Sequence, residues 1–138
     1  MSAIFNMSEM TSLAFHSMAL IATKGNEVVT VKAIAKEIGA SENHLSKVLQ
    51  RLVKAGLLRS ARGPHGGFEL TKPAREVRLN VIYNIMEGEP MPEGCPSMHS
   101  VCPFSGCIFG GIFNKFNREF EEYLSGHTLD DFTNFRPG

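Results

Sequence analysis

Two groups of residues in this 138-residue chain carry side chains able to do chemistry. The first is Cys95, Cys102 and Cys107, in the run GCPSMHSVCPFSGC. The second is the stretch from Ser41 to Thr71, SENHLSKVLQRLVKAGLLRSARGPHGGFELT. Thiolates are metal ligands and redox groups, whereas a basic helical face followed by a basic glycine-rich turn neutralises phosphate. The cysteine spacing is C-x6-C-x4-C. Three thiols cannot all pair, and structural disulfides belong to oxidising compartments. A structural zinc wants four ligands, commonly in C-x2-C pairs, and that spacing is absent. An iron–sulphur cluster takes cysteine thiolates at irregular loop spacing, and one ligand need not be cysteine. On the residues alone three readings stay open: an iron–sulphur cluster, a thiol redox switch, or zinc and incidental cysteines.

The elements that must position these groups follow from periodicity. Leu45, Val48, Leu49 and Leu52 recur at i, i+3, i+4 and i+7, the apolar stripe of a helix that Ser41 can cap and Gly56 can end. The opposite face carries Asn43, Ser46, Lys47, Gln50, Arg51 and Lys54, with no acid. Upstream, Val31, Ile34, Ala35 and Ile38 form a second stripe, with Thr30 to cap its start and Gly39 its end. Two short helices across Gly39-Ala40 are a helix-turn-helix, whose second helix enters the major groove. Downstream, residues 57–61 and 67–71 can pair as a hairpin, with Phe68 and Leu70 on one face. Its tip, RGPHGG, lets backbone approach phosphate and places Arg62 to enter a narrow minor groove. The expected DNA-binding set is Ser41, Asn43, His44, Ser46, Lys47, Arg51, Arg59, Arg62, Gly63, His65 and Gly66.

Around this unit the chain divides into three parts. Residues 1–88 are expected to form a winged helix-turn-helix domain, with a first helix from Ser8 to Lys24 and a short helix from Asn80 to Glu87 that turns Val81, Ile82, Ile85 and Met86 inward. Residues 89–107 read as a cysteine loop rich in proline and glycine. Residues 108–138 read as a long helix from Ile108 to Leu124 and a tail with one more turn started by Thr128. In the long helix Phe109, Phe113, Phe116, Phe120 and Tyr123 recur at steps of four and three, the pattern of a helix packed along another helix. A second copy of the chain is the expected partner, because a symmetric dimer presents two recognition helices to a palindromic site. The fold class is therefore mainly α with a small β-hairpin wing and a long C-terminal dimerisation helix.

Charge separates along the same line. The chain is neutral, yet residues 1–75 hold 10 Lys and Arg against 5 Asp and Glu, while residues 76–138 hold 4 against 9. The basic half is the half with the helix-turn-helix, as phosphate contact requires. No apolar run approaches the ~18 residues that span a membrane, and the N-terminus lacks the order of a signal peptide, so a cytoplasmic protein is expected. An enzyme is not expected. No Ser/His/Asp or Cys/His arrangement has a recognisable local signature, and the one glycine-rich run joins two strands rather than a strand and a helix.

The sequence resembles the Rrf-two family of bacterial transcription regulators. The matching stretches are SLAFHSMALIA, VKAIAKEIGASENHLSKVLQRLVKAGLLRSARGPHGGFEL, IYNIMEG and the cysteine trio, together nearly the whole chain. The resemblance implies a homodimer that binds a palindromic operator in double-stranded DNA through the winged helix. In cluster-binding members three loop cysteines hold a 2Fe–2S or 4Fe–4S iron–sulphur cluster; here these would be Cys95, Cys102 and Cys107. Other members are controlled without a cluster, by thiol oxidation or by a partner protein. The chain departs from the cluster-binding pattern in its gaps of six and four. It also has Gly110 where one type has a histidine ligand, and Ser12 where another has an aspartate ligand. Ser12, His16, His99 and Glu9 remain as candidates for a fourth ligand. Ser46-Lys47 replaces a Glu-Gln pair of the iron–sulphur regulators, exchanging a cytosine acceptor for a phosphate or guanine donor, which implies a different operator.

Overall fold

A computed structural model describes residues 7–63, 66–88 and 102–135. Cys95, His99 and His65 lie outside the described residues. Within them, helices α1 (Glu9–Thr23), α2 (Val31–Ile38) and α3 (Glu42–Lys54) precede an antiparallel hairpin of β1 (Leu58–Ala61) and β2 (Gly67–Leu70). A 3-10 turn (Ala74–Glu76), α4 (Leu79–Glu87), α5 (Ile112–Gly126) and a final 3-10 turn (Leu129–Phe132) follow.

Local chemistry sets most of these boundaries. The Ser8 hydroxyl accepts from the Thr11 amide to start α1, and the Thr30 hydroxyl accepts from the Ala33 amide to start α2. Gly39, at φ 76°, ends α2 in the left-handed conformation that a side chain would strain. At the end of α3 the Leu57 amide reaches back to the Leu52 carbonyl and the Gly56 amide to the Val53 carbonyl, with Gly56 at φ 88°. Ser41 stands at the start of α3 but makes no side-chain cap bond, so the expected cap is present in position only.

α1 is the hub. It packs against α2, α3, α4, β2 and the final turn, which is why residues all along it are buried, from Thr11 and Ala14 to Met18 and Ile21. Ile34 of α2, Leu45, Leu49 and Leu52 of α3, Leu58 of β1 and Ile82 of α4 close the same core. Each such side chain contributes roughly 1.5–3 kcal/mol through removal of apolar surface from water. The hairpin pairs Leu58 with Leu70, Arg59 with Glu69, Ser60 with Phe68 and Ala61 with Gly67. A third segment joins it. The Val29 amide donates to the Phe68 carbonyl at 2.9 Å and the Phe68 amide to the Val29 carbonyl at 2.8 Å, so the wing is tied to the connection between α1 and α2.

Two expectations need correction. The long helix begins at Ile112, not Ile108, because Gly110 and Gly111 both take positive φ (62° and 76°) and break the backbone there. Phe109 therefore precedes the helix and does not continue its seam. Val81 of α4 is 38% exposed, whereas Ile82 and Met86 are buried and Ile85 is half-buried; Val77 and Leu79, outside the expected set, fill the inward positions. The C-terminal turn folds back onto the domain through Leu129, whose amide donates to the Val77 carbonyl at 3.0 Å. Thr128 and Asp131 cap it reciprocally.

Candidate nucleic-acid interface and cysteine segment

The apolar stripe of α3 is buried, which leaves its polar face outward: Asn43, His44, Lys47 and Gln50 are exposed and Ser46 is half-buried. Arg59, Arg62 and Gly63 are exposed on the hairpin that follows. The wing owes its shape to backbone proximity. A Cβ on Gly66 would lie 2.5 Å from the Ala61 carbonyl oxygen, and a Cβ on Gly67 would fall on the backbone of Val29 and Thr30. Both positions exclude a side chain, so the two glycines serve the wing's packing as well as any approach to a ligand.

The candidate side chains differ in how they are held. Arg59 faces Glu69 across the hairpin, with Nη1 3.5 Å from Oε1. Such an exposed pair contributes only about 0–1 kcal/mol and can be exchanged for a phosphate. His44 Nδ1 lies 3.9 Å from Glu9 Oε1, both largely exposed, which places one fourth-ligand candidate beside a DNA-binding candidate. Arg51 does not stand with the others. Its Nη2 donates to the Ile85 carbonyl at 2.8 Å and approaches the Met86 carbonyl at 3.5 Å, at the C-terminal end of α4.

Sequence reasoning did not find the carboxylate that ends α4, one residue beyond this contact. Glu87 Oε1 accepts from the hydroxyls of Thr11 and Ser8, the latter at 2.7 Å. The Thr11 hydrogen bond, then that of Ser8, with Arg51 adding attraction, outweigh desolvation and hold the Glu87 carboxyl below its usual value. Burial first, and the Glu87 charge second, push the Tyr83 hydroxyl up. The Ser8-x-x-Thr11 spacing at a helix start was the only local sign of this network.

Of the cysteines, Cys102 and Cys107 are both exposed free thiols. The Cys107 carbonyl accepts from the Gly110 amide at 3.0 Å, so this thiol sits on the turn that leads into α5. His16 is exposed on α1, its Nδ1 2.7 Å from the Ser12 carbonyl, which leaves Nε2 outward. Among the described residues no three His, Cys, Asp or Glu side chains converge as a metal site. His16 and Glu9 therefore form no such group with Cys102 and Cys107 within one chain, and Ser12 lies one turn before His16 on α1. The fit to an iron–sulphur cluster rests on donor chemistry, since two accessible thiols in one short segment are the ligand type such a cluster takes.

α5 presents the remaining feature. Of its residues only Leu124 is buried, while Ile112, Phe116, Phe120 and Tyr123 are 38–49% exposed. Phe120 meets Tyr83 of α4 edge to face, with centroids 5.2 Å apart. A groove of about 720 Å³ runs between the start of α1, the end of α4 and the first half of α5, bounded by Met7, Glu87, Phe113 and Phe120 among others. No helix among the described residues is long and apolar enough to cross a membrane.

Known proteins share this arrangement. The family model Rrf2, described as iron-dependent transcriptional regulator, matches residues 7–134. The chain is 30% identical to the HTH-type transcriptional regulator NsrR of Oceanobacillus iheyensis over 91% of its own length and 88% of the relative's. It is 30% identical to the HTH-type transcriptional regulator IscR of Cereibacter sphaeroides over 83% of its length and 71% of that protein's. Among solved structures, CymR (YrzC), the global cysteine regulator of B. subtilis, superposes with a TM-score of 0.80 at 23% identity, covering 96% of this chain and 99% of that one, a likeness of fold.

Proposed function

This chain belongs to the Rrf2 family of transcriptional regulators rather than to a family of enzymes, and we propose that it acts as a cytoplasmic homodimer on a palindromic operator, under the control of an iron–sulphur cluster. The observation that carries the DNA-binding part is the exposed polar face of α3 beside a glycine-shaped basic wing. Asn43, Ser46 and Lys47 take the base edges. Ser41, His44, Arg59, Gly63, His65 and Gly66 take phosphates, and Arg62 the minor groove. The apolar face of α5 supports the homodimer: a second copy laid along it buries Phe120 and Tyr123 and sets two α3 helices about one DNA turn, roughly 34 Å, apart.

Cys95, Cys102 and Cys107 would hold the cluster through thiolates, and a bound cluster would supply a group that responds to oxygen, nitric oxide or iron supply. Cys107 stands on the turn that enters α5, so a change in how these thiols are held acts on the element proposed to space the two recognition helices. Chain isolated without oxygen should be brown, with iron and sulphide in cluster proportion, and its DNA affinity should change on exposure to oxygen or nitric oxide. Colourless protein after anaerobic reconstitution, with unaltered DNA affinity when all three cysteines are replaced by serine, would overturn the cluster. One observation favours a second reading within the same family: Cys102 and Cys107 are both exposed free thiols, open to oxidant or to a partner protein. In that case DNA binding responds to oxidant or partner in iron-free protein.

A further inference from the structure

Three helices meet through polar side chains at the end of α4. From α3, Arg51 donates Nη2–H to the Ile85 carbonyl at 2.8 Å and reaches the Met86 carbonyl at 3.5 Å. The last carbonyls of a helix lack partners within it and carry its negative dipole end, so a guanidinium is a favourable cap. One residue further, Glu87 accepts from Ser8, the N-cap of α1, and from Thr11, which is fully buried. The final turn of α4 is thus held between the recognition helix on one side and the start of α1 on the other. On α3, Arg51 is exposed and lies on the margin of the polar face that borders buried Val48, one turn beyond Lys47 and away from Ser46 and Gln50; its bonds to the end of α4 set it apart from Lys47.

We infer that Arg51 is a positioning residue for DNA binding: it sets the orientation of α3 against the end of α4 and does not itself touch DNA. The inference rests on α3 being the recognition helix and is independent of the cluster. It makes the half-site fit of α3 sensitive to whatever re-seats the last turn of α4, and the cysteine segment follows that turn directly in sequence.

The test uses the full chain and a duplex enriched by the wild-type chain from a random pool, with a scrambled duplex as the non-specific reference. Arg51→Gln should weaken the enriched duplex roughly ten-fold, the scale of a lost hydrogen bond to a charged group. The loss should spread over all half-site positions, with the slope of log affinity against log salt unchanged. Arg51→Lys, which keeps the charge but has no planar fork, should recover part of it. Glu87→Gln, which approaches the junction from α4 and leaves Arg51 in place, should give the same pattern and keeps the test open if Arg51→Gln does not fold. A phosphate contact would instead weaken both duplexes equally and reduce the slope by about one. A base contact would relax discrimination at one position only. Either of these, or no change, overturns the inference while leaving α3 as the recognition helix. A wild-type chain that enriches no duplex overturns that assignment and the inference with it.

Discussion

Gly67 is the residue at which the wing depends most on having no side chain. Its φ is 155°, and a Cβ placed there would fall on the backbone of Val29 and Thr30. Gly67→Ala must therefore push β2 away from the connection between α1 and α2. The two hydrogen bonds that Val29 and Phe68 exchange, at 2.9 and 2.8 Å, then stretch or break. Two backbone hydrogen bonds contribute about 1 kcal/mol each. A side chain forced into a sparsely populated backbone conformation adds about 1–3 kcal/mol. The expected destabilisation is about 3–5 kcal/mol, and for a domain of this size the melting temperature should fall by roughly 10–15 °C. Urea unfolding at fixed protein concentration reads the first quantity, since a dimer's stability depends on concentration. Gly126→Ala is the matched control: a Cβ there meets nothing within 4 Å, near the end of α5. It should be neutral or gain up to about 1 kcal/mol from helix propensity. If Gly67→Ala costs less than about 1 kcal/mol, the steric account of the wing is wrong, because neither the strain nor the lost bridge would then be present.

Three further outcomes are expected. Glu87 has its carboxyl lowered in the folded chain by Thr11 and Ser8, so its contribution to stability is present above the ordinary carboxylate range and is lost as pH falls through its folded value. Glu87→Gln should flatten that acid limb in thermal melts, and an unchanged limb would contradict the network. Thr30→Ala removes a real cap bond, at 3.1 Å to the Ala33 amide, and should cost about 1 kcal/mol in chemical unfolding. Ser41→Ala removes a hydroxyl that makes no cap bond and should cost well under half of that. Phe120→Glu, on the exposed face of α5, should shift sedimentation towards the monomer and weaken operator binding; a variant that stays dimeric would place the dimer contact elsewhere.

Much of the DNA-binding unit was legible in the sequence because its signals are local. The stripes of α2 and α3, the Thr30 cap, the Gly39 stop and the left-handed Gly56 each act within four residues, where backbone geometry decides the outcome. The turn after Thr128 was legible for the same reason. The start of α5 was misplaced because the phenylalanine spacing outran the helix: Phe109 keeps the four-residue step, but Gly110 and Gly111 deny the backbone it would need. The reversal at Val81 has another cause. Periodicity says that a helix has an apolar face, not how wide the surface that covers it will be.

The sequence by itself determined that two short helices and a basic hairpin follow one another, that three thiols precede an aromatic helix, and that the basic charge lies in the first half of the chain. These are properties of spacing and composition along a line. Tertiary structure alone decided that Val29 completes the wing, that Glu87 gathers two hydroxyls of α1, and that Arg51 is turned from the polar face of α3 onto the end of α4. Those partners are 34 to 79 residues apart in the chain. Only the packing of α3 and α4 around α1 brings them within hydrogen-bond distance, and no local pattern encodes that approach.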